Sequence, residues 1–286
     1  MKRKFIKRFL PVVIICVLIA GCSTNTNQET DTVTNSSTEE SATSADNTQE
    51  DVKDLKERNN SESQGRQGAQ GNIAGRRDDG GRMGQKTVLT DDQKKLIEAT
   101  KDKFQQKTYE DAENNVSLEY GLFIPANYDD SKSYPLIMFI PDSSAAGKSI
   151  EEVLSEYYGA DIWASDSEQA KHASFVFCPA FSETVVNDDY STSVQIDTAV
   201  KVLNEMIDTY NIDTSRIYTT GQSMGCMTSL YLNSKYPDLF AASLYVSGQW
   251  DITTLKSLET QKFFYITCSG DQKASGGQTE VMDMFD

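Results

Sequence analysis

The sequence predicts an α/β fold in which a mostly parallel sheet is covered by helices on both faces. From residue 87 onward, short apolar runs alternate with stretches of helical spacing. Two of the runs, 134–141 and 173–179, are almost continuously apolar, which is typical of strands buried on both faces. Ligands of such sheets bind at the carboxyl ends of the strands, so the residues that follow each strand are the ones to inspect.

The same patterns place the individual elements. Strands are predicted over 116–125, 134–141, 173–179, 215–221, 240–248 and 262–270. Helices are predicted over 89–111, 149–164, 192–213 and 224–237, and a further helix begins at 278. The helix over 192–213 is the most regular, because six apolar residues fall on one stripe: Val194, Ala199, Val202, Leu203, Met206 and Ile207.

The N-terminus has the layout of a secretory signal. Five Lys or Arg residues within the first eight are followed by the apolar run 9–20. Residues 19–22, Ile-Ala-Gly-Cys, resemble a bacterial lipobox. By that resemblance, residues 1–21 are a signal peptide and Cys22 carries a lipid on the extracytoplasmic side of the cell membrane. An uncleaved anchor helix is the alternative, and it places the chain on the same side.

Residues 22–86 are predicted to be a disordered tether, and 87–286 a single domain. Between Ser23 and Lys86 there is no Phe, Trp or Tyr, so this segment has little apolar surface to bury. The net charge of −16 argues against nucleic acid or an anionic membrane as the main partner. Cys178, Cys226 and Cys268 cannot all pair with one another, and no metal-ligand spacing is present. No metal or cofactor is predicted.

Residues 221–225, Gly-Gln-Ser-Met-Gly, carry the main chemical signal, a G-x-S-x-G motif. The motif follows a predicted strand and opens a predicted helix, which is the context of a nucleophile elbow. Ser223 is therefore the predicted nucleophile. The amide of Met224, at the start of the helix, is a predicted donor to developing negative charge.

Two further loops supply the remaining candidates. The loop after the strand 134–141 offers the amide of Ser143 as the second oxyanion donor, with that of Ser144 as the alternative, and Asp142 to fix the loop. Asp271 follows the strand 262–270 at the place where the acid of a Ser–Asp–His order lies. Asp251 is its rival. Trp250 and Gln222 are candidate substrate-binding residues, and ordinary packing is the alternative role of Trp250.

These motifs resemble the α/β-hydrolase superfamily, in particular secreted esterases similar to polyhydroxybutyrate depolymerases and feruloyl esterases, often called predicted peptidases. The resemblance runs from about Tyr109 onward and is densest over 210–248. It implies Ser223 as nucleophile, Asp271 as acid, and the amides of Met224 and Ser143 as oxyanion donors. Cys226 departs from the glycine that the group often has, and is expected to be a small buried residue.

The larger departure from that group concerns the catalytic base. The single histidine, His172, precedes the strand 173–179 and is therefore expected at the opposite edge of the sheet. Only 15 residues follow Asp271, which leads us to expect a truncated chain without the last strand and helix of the fold, and with little or no activity.

Three functions remain open from the sequence. A lipid-anchored serine esterase acting on esterified polysaccharide or polyester is the first. A serine peptidase of prolyl-oligopeptidase type is the second, because the elbow does not distinguish esters from amides. The third is a non-catalytic glycan-binding protein on a degenerate hydrolase scaffold.

Overall fold

The structure, a computed structural model, describes residues 88–285. The predicted signal peptide, Cys22 and the tether up to residue 86 lie outside the described residues. The elements in chain order are α1 (Asp91–Thr100), β1 (Gln105–Asp111), β2 (Val116–Phe123), β3 (Tyr134–Ile140), α2 (Ile150–Glu156), α3 (Gly159–Ala164), α4 (Asp166–Gln169), β4 (Phe175–Ala180), α5 (Gln195–Thr209), β5 (Ile212–Gln222), α6 (Met224–Lys235), β6 (Ala242–Val246), β7 (Phe263–Ile266) and α7 (Gln272–Asp283). Short 3₁₀ helices cover Lys101–Lys103, Ser143–Ala145 and Ile252–Thr260.

The strands form one sheet in the order β1-β2-β4-β3-β5-β6-β7. The five strands from β4 to β7 in this order are parallel, whereas β1 pairs with β2 and β2 with β4 in antiparallel fashion. The prediction of a mostly parallel sheet is therefore confirmed. Because the five parallel strands run the same way, their carboxyl ends meet at one edge, which we call the carboxyl edge.

Two hydrophobic clusters lie on opposite faces of the sheet, and the smaller one does not extend to β7, where Phe264 and Ile266 are exposed. Adjacent residues of a strand point to opposite faces, so that Leu122 belongs to one cluster and Phe123 to the other. The larger cluster lies under α5, α6 and α7, and the smaller lies under α2 and α3. The predicted stripe of α5 is buried from Ala199 to Met206, while Val194 precedes the helix and is exposed.

The predicted helix over 89–111 is too long. Helix α1 ends at Thr100, and residues 105–111 form β1 along the outer edge of β2. Phe104 marks the change of direction, because its buried ring packs on Phe123 with the ring centroids 5.8 Å apart. Pairing with β2 and the anchoring of Phe104 outweigh the helical spacing of this window.

Two other helices differ from their predicted bounds. The predicted helix over 149–164 is interrupted where Tyr157 takes an extended conformation, so that α2 and α3 are separate. The break directs the Tyr157 hydroxyl to the loop after β3, where it lies 2.9 Å from the Ser144 hydroxyl. Helix α7 begins at Gln272 rather than 278, because Asp271 caps it by accepting from the amide of Ala274.

A buried carboxylate ties the β1–β2 hairpin to α5. Asp111 accepts hydrogen bonds from Lys201 at 2.9 Å, from Thr198 at 2.8 Å and from the side chain of Asn114 at 2.8 Å. Burial alone raises the pKa of Asp111, but the bonds from Lys201, Thr198 and Asn114 outweigh it and hold the pKa well below its usual range. The ion pair between Asp111 and Lys201 thus anchors the antiparallel strands β1 and β2 to α5.

A second buried carboxyl group, that of Asp161 in α3, meets α1. The side chain is fully buried and accepts a 2.5 Å hydrogen bond from the hydroxyl of Thr100. Its other oxygen has no hydrogen-bond partner among residues 88–285. Burial raises the pKa of Asp161 to about 7, against the opposing effect of the Thr100 bond. The neutral carboxylic acid is therefore the form that suits this site.

None of the helices described between residues 88 and 285 is both long and apolar enough to cross a membrane.

We expect Asp161→Asn to stabilise the domain at pH 8 and to have little effect at pH 4. The folded pKa lies above that of the unfolded chain, so stability is lost as pH rises from about 4 to about 7, by on the order of 4 kcal/mol. Urea unfolding of both proteins across this pH range measures the difference. Parallel stability curves for the two proteins would show that Asp161 titrates normally in the folded state.

Candidate active site

Ser223 lies in a sharp turn between β5 and α6. Its φ of 52° and ψ of −117° are uncommon for a residue with a side chain. Its amide donates to the carbonyl of Val246 in β6 at 3.0 Å, and its carbonyl accepts from Met227 at 3.0 Å. The backbone is thus held on both sides, and the strand–turn–helix context predicted for the motif is present.

The two glycines of the motif allow this turn to touch the end of β3. A β-carbon on Gly225 would lie 2.0 Å from the carbonyl oxygen of Ile140, and one on Gly221 would lie 2.5 Å from the same atom. Neither distance is possible for a real side chain. Glycine at both positions therefore lets α6 pack directly against the backbone of β3.

The first turn of α6 presents free amides at the carboxyl edge. The amide of Met224 donates no hydrogen bond to another described residue. The first amides of a helix carry partial positive charge, so this end of α6 favours an anion beside Ser223. The hydroxyl of Ser223 likewise has no hydrogen-bond partner within residues 88–285.

The loop after β3 is fixed by Asp142, as the sequence predicts. Its Oδ1 accepts from the amide of Ser144 at 2.8 Å and from the Ser144 hydroxyl at 2.5 Å. The amide of Ser144 is thereby occupied. The amide of Ser143 has no partner among the described residues, which favours Ser143 over Ser144 as a donor to a bound ligand.

A small open cavity of about 120 Å³ joins Ser223 to Asp271 at the carboxyl edge. Its lining residues are Asp188, Ser223, Met227, Ser247, Gly248, Gln249, Asp271, Lys273 and Ala274. Ser223 and Asp271, two predicted site residues that are far apart in the sequence, thus line one cavity. The carboxylate of Asp271 uses Oδ1 to cap α7, with a distance of 3.1 Å to the Ala274 amide.

The other candidates lie outside this lining set. Asp251 accepts from both the amide and the hydroxyl of Thr253, at 3.0 and 2.7 Å, and so caps the 3₁₀ helix that follows it. Gln222 is exposed at the end of β5. Asp271 is therefore the better placed of the two carboxylates.

The expectation that Trp250 offers a ring to substrate is not favoured by its position. The side chain is only 5% exposed, and its ring packs between Tyr190 and Tyr231 at centroid distances of 5.4 and 5.6 Å. The structure thus places it in the core, which was the alternative role. The exposed aromatic residue at this place is Tyr190.

His172 lies where the sequence predicts. It is exposed, 3.8 Å from Glu168, and precedes β4, whose amino end is opposite the carboxyl edge. It is therefore remote from Ser223. The described residues contain no cluster of three or more His, Cys, Asp or Glu side chains able to hold a metal ion.

Cys226 is buried against the elbow, as expected of a small core residue. Burial raises the pKa of its thiol to about 12, although backbone hydrogen bonds from Val246 and Gly248 oppose the shift. The thiol stays protonated and unreactive beside the turn.

Sequence reasoning missed Asp188, Lys273 and Gln249, which line the cavity. Each follows a strand, so the rule that pointed to Ser143 and Asp271 applied to them too. Polar residues are so frequent in such loops that the rule alone does not select among them.

We expect Gly225→Ala to destabilise the domain by about 2 to 3 kcal/mol or more, since the added methyl overlaps the Ile140 carbonyl. The matched control is Gly276→Ala, where a methyl would meet nothing within 4 Å in the exposed middle of α7. That change should stabilise by about 0.5 to 1 kcal/mol through helix propensity. Urea unfolding measures both, and equal effects would contradict the proposed close contact.

Comparison with known proteins supports this fold. The family profile "Prolyl oligopeptidase family" matches residues 184–280, which include Ser223 and Asp271. Feruloyl esterase B of Talaromyces funiculosus is 28% identical over 136 residues, which cover 42% of this chain and 38% of that protein. This chain therefore matches well under half the length of that relative.

Two solved structures are similar in backbone. A thermostable esterase has a TM-score of 0.55 at 21% identity, covering 65% of this chain and 62% of that one. The feruloyl esterase module from Clostridium thermocellum, as an S954A mutant complexed with sinapinate, has a TM-score of 0.51 at 14% identity, covering 63% of this chain and 72% of that one. The chain thus has the α/β-hydrolase fold and resembles feruloyl esterases and other esterases of that fold.

Proposed function

We propose that the chain is a serine hydrolase that cleaves carboxylic esters through an acyl-enzyme at Ser223. The observation that carries the proposal is the strained Ser223 at the start of α6, with free amides beside it and Asp271 across the same cavity. The similarity to proteins named as esterases supports the ester-hydrolysing kind of chemistry.

In the proposed reaction, the Ser223 oxygen attacks the ester carbonyl carbon and its proton passes to a general base. The amides of Met224 and Ser143 donate to the oxyanion of the tetrahedral intermediate. The alcohol leaves with a proton, and water then hydrolyses the acyl-serine to release the acid. Asp271 would orient the base. No residue between 88 and 285 is assigned as that base, since His172 lies at the other edge of the sheet.

For the substrate, we propose an acyl ester carried by a polysaccharide. The likeness to a protein named feruloyl esterase favours an aromatic acyl group among these esters. A polyester is the second substrate class. The cavity lining is mixed, with Met227 and Ala274 beside polar side chains, and a neutral acyl group suits it.

A peptidase is the second candidate function, favoured by the match of residues 184–280 to the prolyl oligopeptidase family. Matched ester and amide substrates with the same acyl group separate the two. Faster cleavage of the amide than of the ester would favour the peptidase.

We expect a fluorophosphonate to form a covalent adduct on Ser223 when imidazole is supplied as a soluble base. Without a positioned base the hydroxyl is a weak nucleophile, and loss of a triad member costs on the order of 10⁴-fold in rate or more. Peptide mapping by mass spectrometry locates the adduct. Ester hydrolysis should rise with imidazole beyond the rise seen without enzyme.

Ser223→Ala should abolish both the adduct and the imidazole-dependent hydrolysis. Asp271→Asn should reduce the imidazole effect, while Asp251→Asn should leave it unchanged because Asp251 only caps a 3₁₀ helix. A protein that gives no adduct under any condition yet binds glycan would favour the non-catalytic alternative.

We further propose that the chain is anchored outside the cytoplasmic membrane by a lipid on Cys22. The support is the signal-like sequence 1–21 and the lipobox-like residues before Cys22. In a bacterial host grown with an alkyne fatty acid, the protein should incorporate the label. Cys22→Ser should lose it and Cys16→Ser, within the predicted signal, should keep it; label retained by Cys22→Ser would refute the anchor.

A further inference from the structure

We propose that the ion pair between Asp188 and Lys273 joins the segment after β4 to the first turn of α7 across Ser223. We call this connection the strap, and it limits the size of the ester that reaches Ser223. The proposal rests on the proposed function of Ser223. The two side chains form a salt bridge, and both line the same cavity as Ser223.

The order of the strands explains why this pair crosses the site. Asp188 lies in the segment that follows β4, and Lys273 lies in the first turn of α7, after β7. In the sheet, β3, β5 and β6 separate β4 from β7. Four strand spacings of about 4.8 Å place the two strand ends about 19 Å apart. Ser223 follows β5, the middle strand, so segments from both sides meet across it.

The segment that carries Asp188 is held in shape by its own hydrogen bonds. Val186 and Thr192 form an antiparallel bridge, and the amide of Asn187 donates to the carbonyl of Ser191 at 3.1 Å. We call residues 186–192 the strap hairpin. Asp188 lies at its tip and is therefore presented by an ordered turn.

The strap hairpin is also fixed to the core. Tyr190, with a φ of 64°, packs its ring edge-on against Trp250, with the centroids 5.4 Å apart. Trp250 is buried and directly follows Gln249, which lines the cavity. The aromatic contact holds one side of the hairpin, and the ion pair joins its tip to α7.

The other half of the strap is positioned by Asp271. By capping α7 through the amide of Ala274, Asp271 fixes the helical turn on which Lys273 stands. The side chains of Lys273 and Asp188 are 53% and 73% exposed. An ion pair this exposed is weak and screened by salt, so the strap opens easily rather than sealing the site. Small esters reach Ser223 beside the intact ion pair, whereas bulky esters reach it only when the ion pair is broken.

The test measures access to position 223 with thiol reagents. In the full chain carrying Ser223→Cys, the introduced thiol is alkylated with iodoacetamide or with a bulky uncharged polyethylene-glycol maleimide. Fragment ions in mass spectrometry separate this thiol from the buried Cys226 and from the exposed Cys268. The measured quantity is the ratio of the bulky to the small reagent's rate constant.

We expect Asp188→Asn and Lys273→Gln to raise this ratio by about two- to fivefold, since an exposed ion pair shifts a two-state equilibrium by no more than that. The charge swap Asp188→Lys with Lys273→Asp should bring the ratio back. The control Asp166→Asn removes another exposed ion pair, with Lys103 at 2.7 Å, in the helix α4 that precedes β4, and should change nothing.

An unchanged ratio in both strap variants would refute the proposal. An equal acceleration of both reagents would also refute it, because it would indicate general loosening rather than selection by size. Alkylation proceeds through the thiolate, which forms by loss of a proton to the buffer, so it requires neither a catalytic base of the protein nor esterase activity. A failure of the strap is therefore distinguishable from a failure of the proposed ester hydrolysis, which the Ser223 adduct reports.

Discussion

The contact between the first turn of α6 and the end of β3 is the constraint on which the site depends. The carbonyl of Ile140 approaches Gly221 and Gly225 so closely that no side chain fits at either position. This contact fixes the direction of α6 relative to β5, and the strained backbone of Ser223 follows from it. The same contact brings the loop after β3, with the free amide of Ser143, to the start of α6. The positions of the proposed nucleophile and of the proposed oxyanion donors therefore depend on one close packing of backbones.

The packing around the central strands holds this contact in place. On one face α6 packs on β3, β5 and β6, and α5 packs on β5; on the other face α2 and α3 pack on β4, and α3 also packs on β3. Burial of this kind is the main favourable contribution to the free energy of folding, and the close-packed interior resists displacement of any one element. A strained turn persists only where its surroundings are fixed in this way.

The buried carboxyl groups of Asp111 and Asp161 do not line the Ser223 cavity and act on stability rather than on the site. Asp111 is compensated by Lys201, Thr198 and Asn114, so its ionised form is the stable one. Asp161 has Thr100 as its partner, and its neutral form is the stable one. The two carboxyl groups show that burial alone does not decide the sign of a pKa shift. The hydrogen-bond donors supplied by neighbouring elements decide it.

Much of this protein was determined by its sequence alone. The alternation of apolar runs and helical stretches predicted the parallel sheet, and the position of the motif between a strand and a helix predicted the elbow at Ser223. These features were predictable because hydrophobic periodicity and glycine spacing are local. Only the tertiary structure decided that residues 105–111 form an edge strand, that Trp250 is buried, and that Asp188 meets Lys273. Each of these depends on partners distant in sequence, namely β2, the rings of Tyr190 and Tyr231, and the strand order that brings β4 and β7 to either side of β5. A local pattern contains no information about such partners, because the packing energy of a residue depends on contacts with residues that are distant in the sequence.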